Sequence, residues 1–149
     1  MKSKIFITMC MALLFTVVAH TAFAGSAKLA VSNMAIESGE ELGVAVVLGG
    51  TGKHDVYAAF TGGLLGNELF LFNGGPSVFQ HISQGLPKLM DNVDIESLSA
   101  DKSIITLLPK FQVADGASLA GIYTFYVALA TPGTMNFVSF DTIAVEIKK

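Results

Sequence analysis

From Gly25 onward the chain is cut into short runs whose side chains alternate, and no other feature constrains its fold as strongly. Glu41 to Leu48 sets Leu42, Val44, Val46 and Leu48 on one side and Gly43, Ala45 and Val47 on the other. A period of two belongs to a strand with one face against a core. Gly121 to Ala130 repeats it, with Tyr123, Phe125, Val127 and Leu129 opposite Ile122, Thr124, Tyr126 and Ala128. Phe137 to Ile147 does so again through Ile143, Val145 and Ile147. Asp55 to Thr61 places Val56, Ala58 and Phe60 against Tyr57 and Ala59, and Glu68 to Phe72 reads as its hairpin partner across a Gly-rich turn. Ala27 to Val31 and Ser103 to Leu108 complete the set. Gly49-Gly50-Thr51-Gly52 and Asn73-Gly74-Gly75-Pro76 are the breaks. Ser77 to Asp101 is irregular and is expected to hold one short helix or a long crossover. No long 3.6-residue period occurs after Gly25, so the expectation is an all-β domain, one antiparallel sandwich of about seven strands.

The first 24 residues follow different rules. Lys2 and Lys4 precede an apolar run from Ile5 to Val18, and Ala22-Phe23-Ala24 then offers a small-x-small cleavage pattern. The run is shorter than the roughly 20 residues a membrane-crossing helix needs. Residues 1–24 are thus expected to be a secretory signal peptide, with residues 25–149 the sandwich domain and no stable membrane anchor after cleavage. Gly25-Ser26 suits an exposed, flexible start to the processed chain. Cys10 lies inside the signal, is not placed for lipidation, and is the only cysteine. The processed domain must therefore hold together without a disulfide.

Charge narrows the partners. After Gly25 there are seven lysines, no arginine and twelve acidic residues, a formal charge of −5. Such a surface repels phosphate backbones and lacks the planar donor that clamps them, so nucleic acid and anionic membrane are not expected partners.

Asp55-Val56-Tyr57-Ala58-Ala59, Leu69-Phe70-Leu71-Phe72, the run Ala120 to Leu129 and Pro132-Gly133-Thr134 together resemble fibronectin-III-like or immunoglobulin-like β-sandwich modules of exported bacterial proteins. The resemblance spans about two thirds of the chain after the signal. It implies an immunoglobulin-like scaffold and no particular activity. Leu119-Ala120-Gly121-Ile122-Tyr123 matches the tyrosine-corner segment of such sandwiches, where a Tyr hydroxyl bonds back to backbone a few residues upstream. Phe125 then stands where antibody domains keep a cysteine.

Chemistry is sparse. Gly49-Gly50-Thr51-Gly52-Lys53-His54 has the wrong spacing for a phosphate loop, and Gly116-Ala117-Ser118-Leu119-Ala120 precedes a strand and falls short of a nucleophile elbow. His54 and His81 show no paired metal spacing, and no cofactor is expected. Asp91, Asp94, Glu96 and Asp101 form the one dense acidic cluster, a weak candidate for calcium of the kind extracellular domains bind.

The sharpest functional feature is Leu69, Phe70, Leu71 and Phe72. Alternation sends one pair outward, so this strand is apolar on both faces and needs a cover: the Ser77–Asp101 segment, a ligand or a partner chain. The expected function is an exported, non-enzymatic binding or structural module, working through protein partners or self-association in the periplasm or at the cell surface. The alternative is a carrier for a small apolar or carbohydrate ligand seated under the crossover, with an enzyme third.

Overall fold

A computed structural model describes residues 24–114 and 116–149. The described residues form ten strands in two sheets, a β-sandwich without a helix longer than four residues. The smaller sheet runs β1 (Ser26–Val31), β3 (Glu41–Gly49) and β8 (Ile104–Gln112). The larger runs β2 (Ala35–Ile36), β10 (Phe137–Ile147), β9 (Gly121–Ala130), β4 (Lys53–Gly62), β5 (Phe70–Phe72) and β6 (Phe79–His81). A further strand, β7 (Met90–Asp94), pairs with the first half of β4.

Alternation sets the core. Leu42, Val44, Val46, Leu48 and Leu107 of the smaller sheet meet Val56, Phe60, Phe72, Phe125, Val127, Leu129, Val145 and Ile147 of the larger, all buried. Phe60 sits at the centre of an aromatic group, its ring 5.9 Å from Phe125 and 5.3 Å from Phe72. Phe125 is buried as its parity requires. Tyr123 is half-buried, and its hydroxyl donates to the Leu119 carbonyl at 2.9 Å and accepts from the Leu64 amide at 3.4 Å. That is the backward bond a tyrosine corner makes.

The edge where the sheets meet is closed by side chains. The Leu29 amide donates to Asp141 Oδ2 at 2.9 Å and the Ala27 amide to Ser139 Oγ at 3.3 Å, so β10 satisfies the free edge of β1.

Several expectations are corrected. Ser77 to Asp101 is more regular than expected: besides two short 3₁₀ helices, Ile82–Gln84 and Ile95–Ser97, it carries the strands β6 and β7. This raises the strand number above seven. The sheets are not wholly antiparallel, because β2 pairs parallel with β10. The strand expected to end at Leu108 continues to Gln112. Pro109 is tolerated there because the pairing shifts between Leu42 and Val44, leaving Pro109 and Lys110 opposite Gly43 on an edge strand.

The signal peptide expected at residues 1–24 lies outside the described residues up to position 23. At its boundary, Ala24 bridges Thr51 and Gly25 is buried, not exposed. A Cβ at 25 would lie 2.4 Å from His54 Nε2, so the imidazole packs where only glycine fits.

Candidate functional site

The two pairs of Leu69–Phe72 separate cleanly. Phe70 and Phe72 turn into the sandwich and pack on Phe60 and Phe79. Leu69 and Leu71 lie on the opposite, outer face of the larger sheet, where they line an apolar groove of about 470 Å³. Sheet register assembles the rest of its floor. Ala59 is opposite both Leu71 and Tyr126, Tyr57 is opposite Ala128, and Ala128 is opposite Phe140. Small Ala59 and Ala128 between large Tyr57, Tyr126 and Leu71 make the surface concave. None of the fourteen described residues that line it is charged.

Large side chains around this groove face water. Phe140 is 59% exposed although its ring lies 6.2 Å from Tyr126, and Leu86, Met135 and Phe137 are also exposed. Phe137 meets Tyr57 edge to face at 6.0 Å. Leu71 is only 4% exposed and Leu69 half-buried, so the Leu69–Leu71 pair forms floor and not rim.

One buried carboxylate ties the groove's walls together. Asp55 is fully buried. Its Oδ1 accepts from the Asn92 amide at 2.8 Å, and its Oδ2 from the Gly133 amide at 2.8 Å and Lys88 Nζ at 2.8 Å. Asn92 and Gly133 both have left-handed backbone, with φ of 46° and 71°, and this turns their amides onto the carboxylate. Lys88 follows Leu86 by two residues, and Gly133 precedes Met135 by two, so Asp55 anchors both segments that supply the rim. The Lys88 hydrogen bond, against the opposing effect of burial and with help from the two amides, holds the Asp55 carboxyl well below the usual carboxylate range. In turn Asp55 first and Asp91 second hold the Lys88 ammonium well above the usual lysine range. The sequence reading missed Asp55. Its signal was a carboxylate at the head of the apolar run Val56 to Phe60, on the same strand face as Tyr57 and Ala59.

The acidic cluster does not come together. Asp91 pairs with Lys88 at 2.6 Å, Asp94 lies opposite Lys53 in the β7–β4 pairing, and Glu96 is exposed on the 3₁₀ turn that follows. Asp101 bonds locally, chiefly to the Ser99 side chain, which lowers its pKa. Among the described residues no three carboxylates, imidazoles or thiols gather as a metal site needs.

His81 connects Ser83 Oγ at 2.7 Å on Nδ1 with Glu68 Oε2 at 2.5 Å on Nε2. The connectivity is that of nucleophile, base and orienting carboxylate. Yet Ser83 and Glu68 are exposed, and Nδ1 also accepts the Ser83 amide at 3.2 Å. The imidazole here caps the turn Ile82–Gln84. Among the described residues no helix is long and apolar enough to cross a membrane. No family model matches the chain, and no curated protein matches it.

Proposed function

We propose that the chain is an exported, non-enzymatic binding module on an immunoglobulin-like scaffold, acting through protein–protein contact at the outer face of its larger sheet. The observation that carries this reading is the uncharged groove rimmed by exposed Phe140, Phe137, Met135 and Leu86. An isolated exposed apolar residue is ordinary on a soluble domain, but several converging on one concave face favour a contact site. The scaffold reading draws support from strand order. In the letter scheme of such sandwiches the smaller sheet reads A-B-E and the larger G-F-C-C′. Export rests on the N-terminal signal pattern.

A carrier function has one observation in its favour. About 470 Å³ falls within the range of small-ligand sites, roughly 300–1,000 Å³, and the groove offers two tyrosines beside its apolar floor. Only Leu86 of the segment expected to cover such a ligand lines it, which favours the contact reading.

Photo-crosslinking in cells tests the proposal. A photoreactive residue at Phe140 is expected to give a discrete protein adduct, and one at exposed Val47 on the smaller sheet none. Equal labelling from both positions, or none from Phe140, refutes it.

A further inference from the structure

The sandwich has a second opening, independent of the outer face. Between the sheets, at the end capped by the turn after β4, lies a cleft of about 300 Å³. Leu42 and Phe125 form its buried floor, with Tyr123 on one wall and Leu108 on the other. Three large apolar side chains from distant parts of the chain stand around its mouth: Leu64 is 65% exposed, Phe79 45% and Phe111 41%. The turn carrying Leu64 rests directly on Tyr123, since a Cβ on Gly63 would lie 2.0 Å from the ring.

The lining chooses the occupant. Every described residue around the cleft is apolar except Tyr123, whose hydroxyl already donates to Leu119 and accepts from Leu64. A polar ligand would lose its water and gain no hydrogen bond there. Eleven described residues line the cleft, whereas a stable protein interface takes about 20–30 a side, so a second copy or a partner's face is the wrong size. A dry cavity of about 150 Å³ lined by Leu, Ile and Phe accommodates benzene. Twice that volume, walled by the rings of Phe60, Phe79, Tyr123 and Phe125, matches one or two fused rings.

We propose that this inter-sheet cleft binds a compact, uncharged aromatic molecule of one or two rings.

The test is titration of the purified full-length chain with benzene and with naphthalene, followed by methyl NMR. Saturable shifts are expected at Leu42, Leu108, Leu119 and Ile147, with the Leu69 and Leu71 methyls unmoved. Naphthalene, which fills more of the volume, is expected to bind more tightly than benzene. Leu108→Trp, which occupies the space, is expected to weaken binding at least about tenfold. Should that variant fail to fold, Leu64→Gln at the exposed mouth keeps the core intact and is expected to weaken binding a few fold. No saturable shift with either probe overturns the proposal, as it would if a partner's side chain were the real occupant. So do shifts confined to Leu69 and Leu71, or unchanged affinity in a folded Leu108→Trp protein. The outer-face contact reading is untouched by an absent shift or by unchanged affinity in the variant, whereas shifts confined to Leu69 and Leu71 would favour the carrier alternative at that groove.

Discussion

Replacing Asp55 with asparagine keeps the shape of the side chain and removes its charge. The native carboxylate accepts two backbone amides, from Asn92 and Gly133, at full burial. An asparagine can accept from one of them and must turn its own N–H₂ toward the other. One charge-assisted hydrogen bond is lost, about 1.5–3 kcal/mol, and a buried donor left facing a donor adds about 1 kcal/mol. The Lys88 ammonium, 2.8 Å from the same carboxylate, also loses its charged partner, and because its side chain is nearly a third exposed water offsets much of that loss. The expected loss is about 3 kcal/mol at pH 7, or a melting point lower by roughly 10 °C. Acid should narrow the gap. Asp55's ordinary value is 3.8 and its folded value lies below that, so on acidification the unfolded chain takes up the proton first. The contribution is whole above about pH 5 and declines as pH falls through 3.8 and beyond. By pH 3 the difference between native protein and variant should shrink by about 1 kcal/mol. Urea unfolding of both proteins at pH 7 and pH 3 measures this. A loss under about 1 kcal/mol at pH 7, or a difference that does not shrink in acid, refutes the reasoning.

Other consequences are directly measurable. Phe125→Ala should cost about 3–5 kcal/mol in urea unfolding, since it opens a cavity beside Phe60. Tyr123→Phe should cost about 0.5–1.5 kcal/mol, the worth of the bond to Leu119. Gly63→Ala should cost about 2–4 kcal/mol by thermal melting, because the residue has φ of 55° and its new methyl would meet the Tyr123 ring. N-terminal sequencing of the exported protein should read Gly25-Ser26-Ala27; a chain that retains Met1 would remove the case for a cleaved signal.

The long strands were legible because each carries enough alternating residues to fix its period. Gly121–Ala130 and Phe137–Ile147 fall where the pattern puts them. The short strands were not. Phe79–His81 offers three residues, too few for a period, and is a strand because its backbone pairs with β5. Leu69 to Phe72 announced two apolar faces without saying which pair faced out, since both pairs are equally apolar. The aromatic group around Phe60 decides it by taking Phe70 and Phe72. Tyr57 and Phe140 of the groove are joined only through sheet register. Asp55 depends on amides 37 and 78 residues away, a distance at which no local pattern carries information. The continuation of the strand past Leu108 and the burial of Gly25 were hidden for a related reason: Pro109 sits in a bulge and Gly25 under His54, and both are settled by tertiary neighbours.

The outer face is the centre of the account, and one double variant tests it most directly. Leu86→Ser with Phe140→Ser removes exposed apolar surface from the rim of the groove while sparing the Leu69–Leu71 floor. The measurement is the yield of the partner adduct from a crosslinker at exposed Phe137, alongside the urea midpoint. The account predicts an adduct reduced at least about tenfold, with stability within about 1 kcal/mol of the native protein, as expected for side chains that keep contact with water. A stable double variant that forms the adduct as efficiently as the native chain would contradict it.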